Sequence, residues 1–402
     1  MTIQLLFLTR FVRLFAYGAL SVVLVIYLTQ LGLSDTQTGT LLTCTLIGDT
    51  LLSLWLTTRA DQFGRRRTLI VGSLLMAAAG VVFASTHNLL ALVMAGTIGV
   101  ISPSGHEVGP FLSIEQATLS HVVPGRERTQ IFAWYTLTGA VATALGSLCA
   151  GLLTQAGYSS TMPIPNARHV IWMYAAIGVG LAFLFSRLST SAEVSPGSSS
   201  DFWGIRHSRP VILRLAALFA LDSFGGGFVV QSFVAYWFHL RFGAEPAILG
   251  TIFFGANLFA GVSALVASKL AARIGLVKTM VYTHLPSNML LILVPLMPNL
   301  VSAIVVLLAR FSISQMDVPA RQSYTMAIVR PEERSAAAGI TGVARTIGAA
   351  ISPMFTGLLF SIPALISWPF FIAGSMKICY DLLLYRAFVK VLPPEEVKLS
   401  PS

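Results

Sequence analysis

"TTRADQFGRRRTL", residues 57–69, places one acid and four arginines in a chain that otherwise avoids charge. On both sides of it the sequence stays apolar for the length of a membrane-crossing helix. Of the 402 residues, 55% are hydrophobic and 10% charged, and the mean hydropathy is +0.78, a composition outside the soluble globular range. A bilayer core about 30 Å thick needs roughly 20 apolar residues per helix. The stretch therefore reads as a tight polar turn joining two membrane helices. A closed barrel would show alternating segments of about ten residues, whereas these runs are continuous and about twice as long.

Working outward in both directions, the hydropathy pattern predicts an all-α multi-pass membrane protein with twelve spans. They are residues 4–30, 37–57, 68–86, 89–121, 129–154, 168–187, 210–240, 244–268, 279–297, 300–329, 336–361 and 363–388. "SPSGHEVGP" interrupts the fourth and "SQMDVP" the tenth. The opening "MTIQLLFLTRFVRLF" runs straight into a span without a small-residue cleavage site, so no cleavable leader is expected. Cys44, Cys149 and Cys379 fall inside spans and read as small apolar residues rather than a disulfide framework.

Basic residues favour short cytoplasmic loops. With both termini inside, the inner loops and tail collect Arg59, Arg65, Arg66, Arg67, Arg126, Arg128, Arg187, Arg206, Arg209, Arg214, Lys269, Arg273, Lys278, Arg321, Arg330, Arg334, Arg386, Lys390 and Lys398, and the outer loops hold Arg168 and Arg241. The net charge of +10 is accounted for by topology, and no nucleic-acid partner is expected.

The chain repeats itself. A shift of 211 residues lays Leu28–Leu42 over His239–Phe253, matching Gly32 with Gly243, Gly39 with Gly250 and Thr40 with Thr251, and carries Gly64 onto Gly275 and Arg67 onto Lys278. A shift of 206 aligns Glu115–Thr129 with Arg321–Ser335, pairing Gln116 with Gln322 and Arg128 with Arg334. Two pseudo-symmetric six-helix halves follow, residues 1–187 and 210–402, joined by a cytoplasmic linker, 188–209, of flexible composition. Parallel repeats of this kind are used by secondary transporters, with the substrate site between the halves near mid-membrane.

The turn that opened the argument now resembles the signature between helices 2 and 3 of the major facilitator superfamily, an Asp followed by a Gly and a basic cluster. Here these are Asp61, Gly64, Arg65, Arg66 and Arg67, with a degenerate copy, "LAARIGLVK", in which Ala272 replaces the acid. The resemblance covers essentially the whole chain. It implies that the cluster latches the two halves on the cytoplasmic side and stabilises the outward-open state. Thr57 stands where the family usually has glycine, and the fifth span has Gly139, Gly146 and Gly151 but lacks the Gly-Pro pair typical of drug/proton antiporters.

Charged residues inside spans are costly and are functional candidates by default. Asp49 precedes Asp61 by twelve residues, which at 1.5 Å per residue places it about 18 Å from the inner surface; Asp222 sits at a similar depth. The tenth span carries Arg310, Ser314, Asp317, Arg321 and Tyr324 at helical spacing, and the fourth carries Ser104, Glu107, Phe111, Glu115 and Thr118 on the equivalent face. The repeat sets Glu115 opposite Arg321, and the two are expected to approach across the central cavity unless they form a fixed structural bridge. Arg10, Arg13, Tyr17 and Ser21 form a further stripe, in which both arginines are equally readable as snorkelling to the interface.

The proton-coupling candidates are Glu115, Asp317, Asp49 and Asp222, in that order. His106 reads as part of a gate or hinge at least as well as a proton site. The substrate-cavity candidates are Arg10, Arg13, Tyr17, Glu107, Gln116, Gln231, Tyr236, Arg310, Arg321 and Gln322, with Trp237 weaker. The seven histidines are scattered without metal spacing and no ATP-binding loop occurs, so neither a cofactor nor enzymatic activity is expected.

The sequence thus predicts a monomeric secondary transporter of the cytoplasmic membrane. It would move a small organic molecule by alternating access, coupled to protons, with export ahead of uptake. An uptake symporter or uniporter for a metabolite, and a non-transporting sensor or channel on the same fold, stay open.

Overall fold

A computed structural model describes residues 2–123, 128–156, 164–188, 208–330 and 333–391, without the side chains of 58–62, 120–122, 128–130, 164–166, 268 and 335. Among these residues every regular element is helical. Nine spans are single helices near the predicted places: α1 (Thr2–Gln30), α2 (Asp35–Phe63) and α3 (Arg65–Ser85), then, after the fourth span, α6 (Arg128–Gln155) and α7 (Ile164–Ser186), and in the second half α10 (Pro246–Ile274). The ninth, eleventh and twelfth are α11 (Leu276–Leu293), α14 (Arg334–Phe360) and α15 (Trp368–Phe388). Leu90, Met94, Val301 and Val305 point outward, as lipid contact requires.

Three spans are broken. The fourth is α4 (Leu89–Ile98) and α5 (Phe111–Val122), the seventh α8 (Arg209–Gly227) and α9 (Gln231–Phe242), and the tenth α12 (Leu300–Phe311) and α13 (Asp317–Ala327). The continuous helical faces predicted for spans four and ten are thereby corrected. Ser104 and Glu107 lie in non-helical chain, and Arg310 is on a different helix from Asp317, Arg321 and Tyr324. Gly105 and Gly109 turn this chain with φ of 71° and 78°, a region L-residues with side chains seldom enter.

The breaks explain why the repeat needs two offsets. Leu89 and Leu300, which begin α4 and α12, differ by 211, whereas Phe111 and Asp317, which begin α5 and α13, differ by 206. The five-residue difference is absorbed between them. Local signals repeat at the first offset. Asn88 caps α4 by accepting the Ala91 N–H at 3.2 Å, and Asn299 caps α12 by accepting that of Ser302 at 2.9 Å. Gly64, φ 94°, and Gly275, φ 88°, each turn the chain between consecutive helices in one residue.

By contact the chain divides into two compact units. Unit 1 comprises Met1–Gly197, Val230–Leu258 and Pro353–Ile366, and unit 2 comprises Ser198–Val229, Phe259–Ser352 and Ser367–Ser402. In unit 1, α1 packs along α6 and α7, and α3 along α7. Backbones approach closely there: a Cβ at Gly18 would strike the Thr143 carbonyl, and one at Gly146 that of Phe15. Small residues permit such approaches in membranes. Unit 1 also holds two glycine-on-glycine crossings, Gly39 of α2 against Gly357 of α14 and Gly250 of α10 against Gly151 of α6. They are copies of one another, since Gly39 maps to Gly250 by 211 and Gly151 to Gly357 by 206. In unit 2, α8 and α11 both pack on α15 around Leu215, Phe219, Met280, Tyr380 and Leu384.

Candidate functional site

Among the described residues two networks of buried charge stand out, one in each unit. In unit 1, α1 presents Thr9, Arg10 and Arg13 within little more than one turn, on the face turned toward α5 and α6. Arg13 grips Glu115 with both ends of its guanidinium, Nη1 to Oε1 at 2.7 Å and Nη2 to Oε2 at 2.6 Å. Tyr135 of α6 donates its hydroxyl to Oε2 at 2.5 Å, and Thr9 donates to Oε1 at 3.3 Å. Both oxygens of Glu115 are thus occupied by four donors, and neither Arg13 nor Glu115 has any exposed surface. Glu107, in the break of span four, takes Arg10 at 2.6 Å and Arg13 at 3.2 Å. Two cations meet two anions. Arg10 also lies over the Tyr135 ring and Arg13 over that of Phe111, at 4.3 and 4.6 Å.

Polar side chains staple the break itself. Asp49 of α2 accepts the Gly109 N–H at 2.7 Å and the Ser53 hydroxyl at 3.4 Å, Ser102 donates to the His106 carbonyl at 2.7 Å, and Tyr17 reaches the Val108 carbonyl at 3.4 Å. Ser232, at the start of α9, bonds the Pro103 carbonyl through both its N–H and its hydroxyl. Unpaired backbone is tolerated at membrane depth only when satisfied in this way. Beside it, Gln231 donates to Ser21 at 2.7 Å and Ser147 at 3.3 Å and accepts from Asn257 at 3.2 Å, while Tyr236 packs its ring 5.8 Å from that of Phe360.

In unit 2, Asp222 of α8 sits among three basic groups. Lys377 of α15 donates to Oδ1 at 2.7 Å, Arg321 of α13 to Oδ2 at 3.2 Å, and His284 Nε2 of α11 lies 3.7 Å from Oδ1. The other ring nitrogen of His284 is 2.8 Å from Asp381, whose second oxygen accepts from Asn288 at 3.0 Å. Arg321 also holds Asp317, one helical turn away, at 3.1 Å. All of these side chains are buried. Protonated, an imidazole between two carboxylates donates to both; neutral, it donates from one nitrogen, and at Nδ1 the Asn288 amide, 3.1 Å away, is the donor within reach.

Several expected residues sit elsewhere. Glu115 and Arg321 were expected to meet; each instead takes its partners inside its own unit. Gln116 and Gln322 are exposed and belong to neither network. Of the expected latch, Arg65 is buried and Arg67 exposed, while the Asp61 side chain and most of the 188–209 linker lie outside the described residues. Sequence reasoning missed His284, Asn288, Lys377 and Asp381. A signal for them existed: His284 with Asn288, and Lys377 with Asp381, each sit four residues apart within an apolar helix.

Comparison with known proteins gives the chain relatives in sequence and in fold. The model of the Major Facilitator Superfamily matches residues 6–317 and, in a second overlapping match, 232–402. Uncharacterized membrane protein YJR124C of Saccharomyces cerevisiae is 30% identical, over 97% of this chain and 94% of its own. Quinolone resistance protein NorA of Staphylococcus aureus is 21% identical over 90% of each chain. In fold, the crystal structure of the nucleoside transporter NupG superposes with a TM-score of 0.73 at 14% identity, over 96% of this chain and 99% of that one.

Proposed function

The chain belongs to the major facilitator superfamily, and from that membership we propose that it is a proton-coupled secondary transporter exporting a small organic molecule by alternating access. The two halves, 1–187 and 210–402, are the moving bodies, and Asp61, Gly64 and Arg65–Arg67 form the cytoplasmic latch between them. Both termini lie in the cytoplasm of a plasma-membrane carrier that acts as a monomer. Reporter fusions at Ser198 and Ser400 should both read cytoplasmic, and an external signal from either would overturn this topology. Export is favoured by the likeness to NorA, whose name records quinolone resistance.

The observation that carries the coupling is the sharing of Asp222 among Lys377, Arg321 and His284, with His284 also on Asp381. A carboxylate with competing cations exchanges partners when a proton arrives, because each alternative is already within reach. Asp222 and His284 therefore come ahead of Glu115 as proton carriers. Every lone pair that Glu115 offers is engaged by Arg13, Tyr135 or Thr9, so protonating it would break bonds with no substitute at hand. The groups facing Asp222 and His284 are Arg321 and Asp317 from α13, Lys377, Tyr380 and Asp381 from α15, Asn288 from α11, Arg345 from α14 and Arg310 from α12.

The test is substrate-dependent proton movement in proteoliposomes under an imposed pH gradient, with a chemically diverse substrate panel. Asp222→Asn and His284→Gln are expected to lower proton-linked flux about a hundredfold while exchange of substrate across the membrane persists. Undiminished proton movement in both variants would remove coupling from this network.

A further inference from the structure

The polar interior of unit 2 holds more positive charge than its carboxylates balance. Asp222, Asp317 and Asp381 stand against Arg310, Arg321, Arg345 and Lys377, before His284 is counted. Arg321 and Lys377 have acidic partners. Arg310 and Arg345 do not: among the described residues neither forms an ion pair or a hydrogen bond through its guanidinium, Arg310 resting only over the Phe311 ring at 4.9 Å, and although both side chains are half-buried the Nε of each is buried without a partner. Arg345 lies within electrostatic range of Arg321, Asp222 and Asp317, and Arg310 within range of Asp222, so each stands near the Asp222 network. The Ser314 hydroxyl, in the break between α12 and α13, is likewise buried and unpaired.

Unit 1 shows the balanced case, where two arginines meet two glutamates. An unpaired cation inside a membrane span costs several kcal/mol. Its retention makes sense where an anion arrives from outside the protein. We infer that Arg345 and Arg310, with the Ser314 hydroxyl, form an anion-binding subsite, and that the transported molecule is an organic anion carrying a carboxylate or phosphate group. Either group matches the planar guanidinium fork. Arg345 stands eleven residues beyond Arg334, about 16 Å along α14, which is the depth of a bound substrate and not of a lipid headgroup. The inference rests on the transport reading above and gives its substrate class.

The experiment uses the full chain in neutral detergent at constant ionic strength, with no gradient. Thermal stability is followed against benzoate, octanoate, phenyl phosphate and inorganic phosphate, and against benzamide and benzylamine as neutral and cationic counterparts. At least one anion should stabilise saturably where the amide and amine do not. Arg345→Gln should weaken that binding by about tenfold or more, with a ligand-free melting temperature equal to or above the native value. Preference for carboxylates or for phosphates would each support the subsite and narrow its ligand. Three results would overturn it: no member of the panel binding, equal effects of the amide or amine, or native affinity in Arg345→Gln. A fall in ligand-free stability in that variant would also overturn it, by making the arginine structural. Binding here requires no coupling, so proton-linked flux and anion binding fail independently.

Discussion

Replacing Glu115 with alanine is expected to lower the unfolding free energy by about 3–5 kcal/mol, because it leaves Arg13 buried with half its partners removed. Arg13 has no exposed surface and would retain only Glu107, which also serves Arg10. Arg13→Met should cost a similar amount for the mirror reason, leaving the Glu115 carboxylate with Tyr135 and Thr9 alone. The paired change, Arg13→Met with Glu115→Leu, is expected to recover most of the loss, since two apolar side chains of similar volume have no charge to desolvate. Reversible unfolding of the detergent-solubilised variants checks this. Additive losses in the double variant would mean that the two residues do not act as a unit.

Enlarging either glycine crossing should have the next largest effect, and on transport as well as stability. A Cβ at Gly151 would lie 2.5 Å from the Pro246 carbonyl oxygen and 2.8 Å from the Gly250 Cα, and one at Gly39 would lie 2.5 Å from the Pro353 carbonyl oxygen. Backbone cannot yield as a flexible side chain does, so the helices must separate. Gly151→Leu is therefore expected to prise α6 from α10 and open the interior around Gln231, where Ser21 is fully buried in the native chain. With Ser21→Cys as a probe, labelling by a membrane-impermeant maleimide should be blocked in the native background. In Gly151→Leu it should be about tenfold faster or more, an opening that needs only about 1.4 kcal/mol. Substrate flux should fall with it. Unchanged labelling and flux would show that the crossing tolerates separation and has no part in closing this face.

The membrane fold was legible from composition and from the repeat, because burial in lipid forces long apolar runs and internal duplication preserves their order. The turn at Gly64 and its copy at Gly275 were legible too, since a one-residue connection with positive φ leaves little choice but glycine. The partners of the buried charges were not. Whether Glu115 meets Arg13 or Arg321 depends on how far each helix is rotated about its axis, and spacing within one helix says nothing of the neighbour's rotation. The same gap hid the contact between His284 and Asp381, on α11 and α15, which lie 97 residues apart in sequence. Repeat symmetry pointed at the wrong pairing for Glu115. It relates equivalent positions, whereas electrostatics selects whichever opposite charge is nearest.

The break in span four has a mechanical consequence of its own. Five residues added inside an α-helix advance everything beyond them by about 500°, a net turn of roughly 140°. Had the five-residue difference between the halves fallen within helix, Glu115 would have swung from the Arg13 side of α5 toward the bilayer. Lodged in unwound chain between Ile98 and Phe111, it leaves the phase of α4 and α5 untouched. The segment acts as an expansion joint: the two halves differ in length there, and no buried charge has been rotated into lipid.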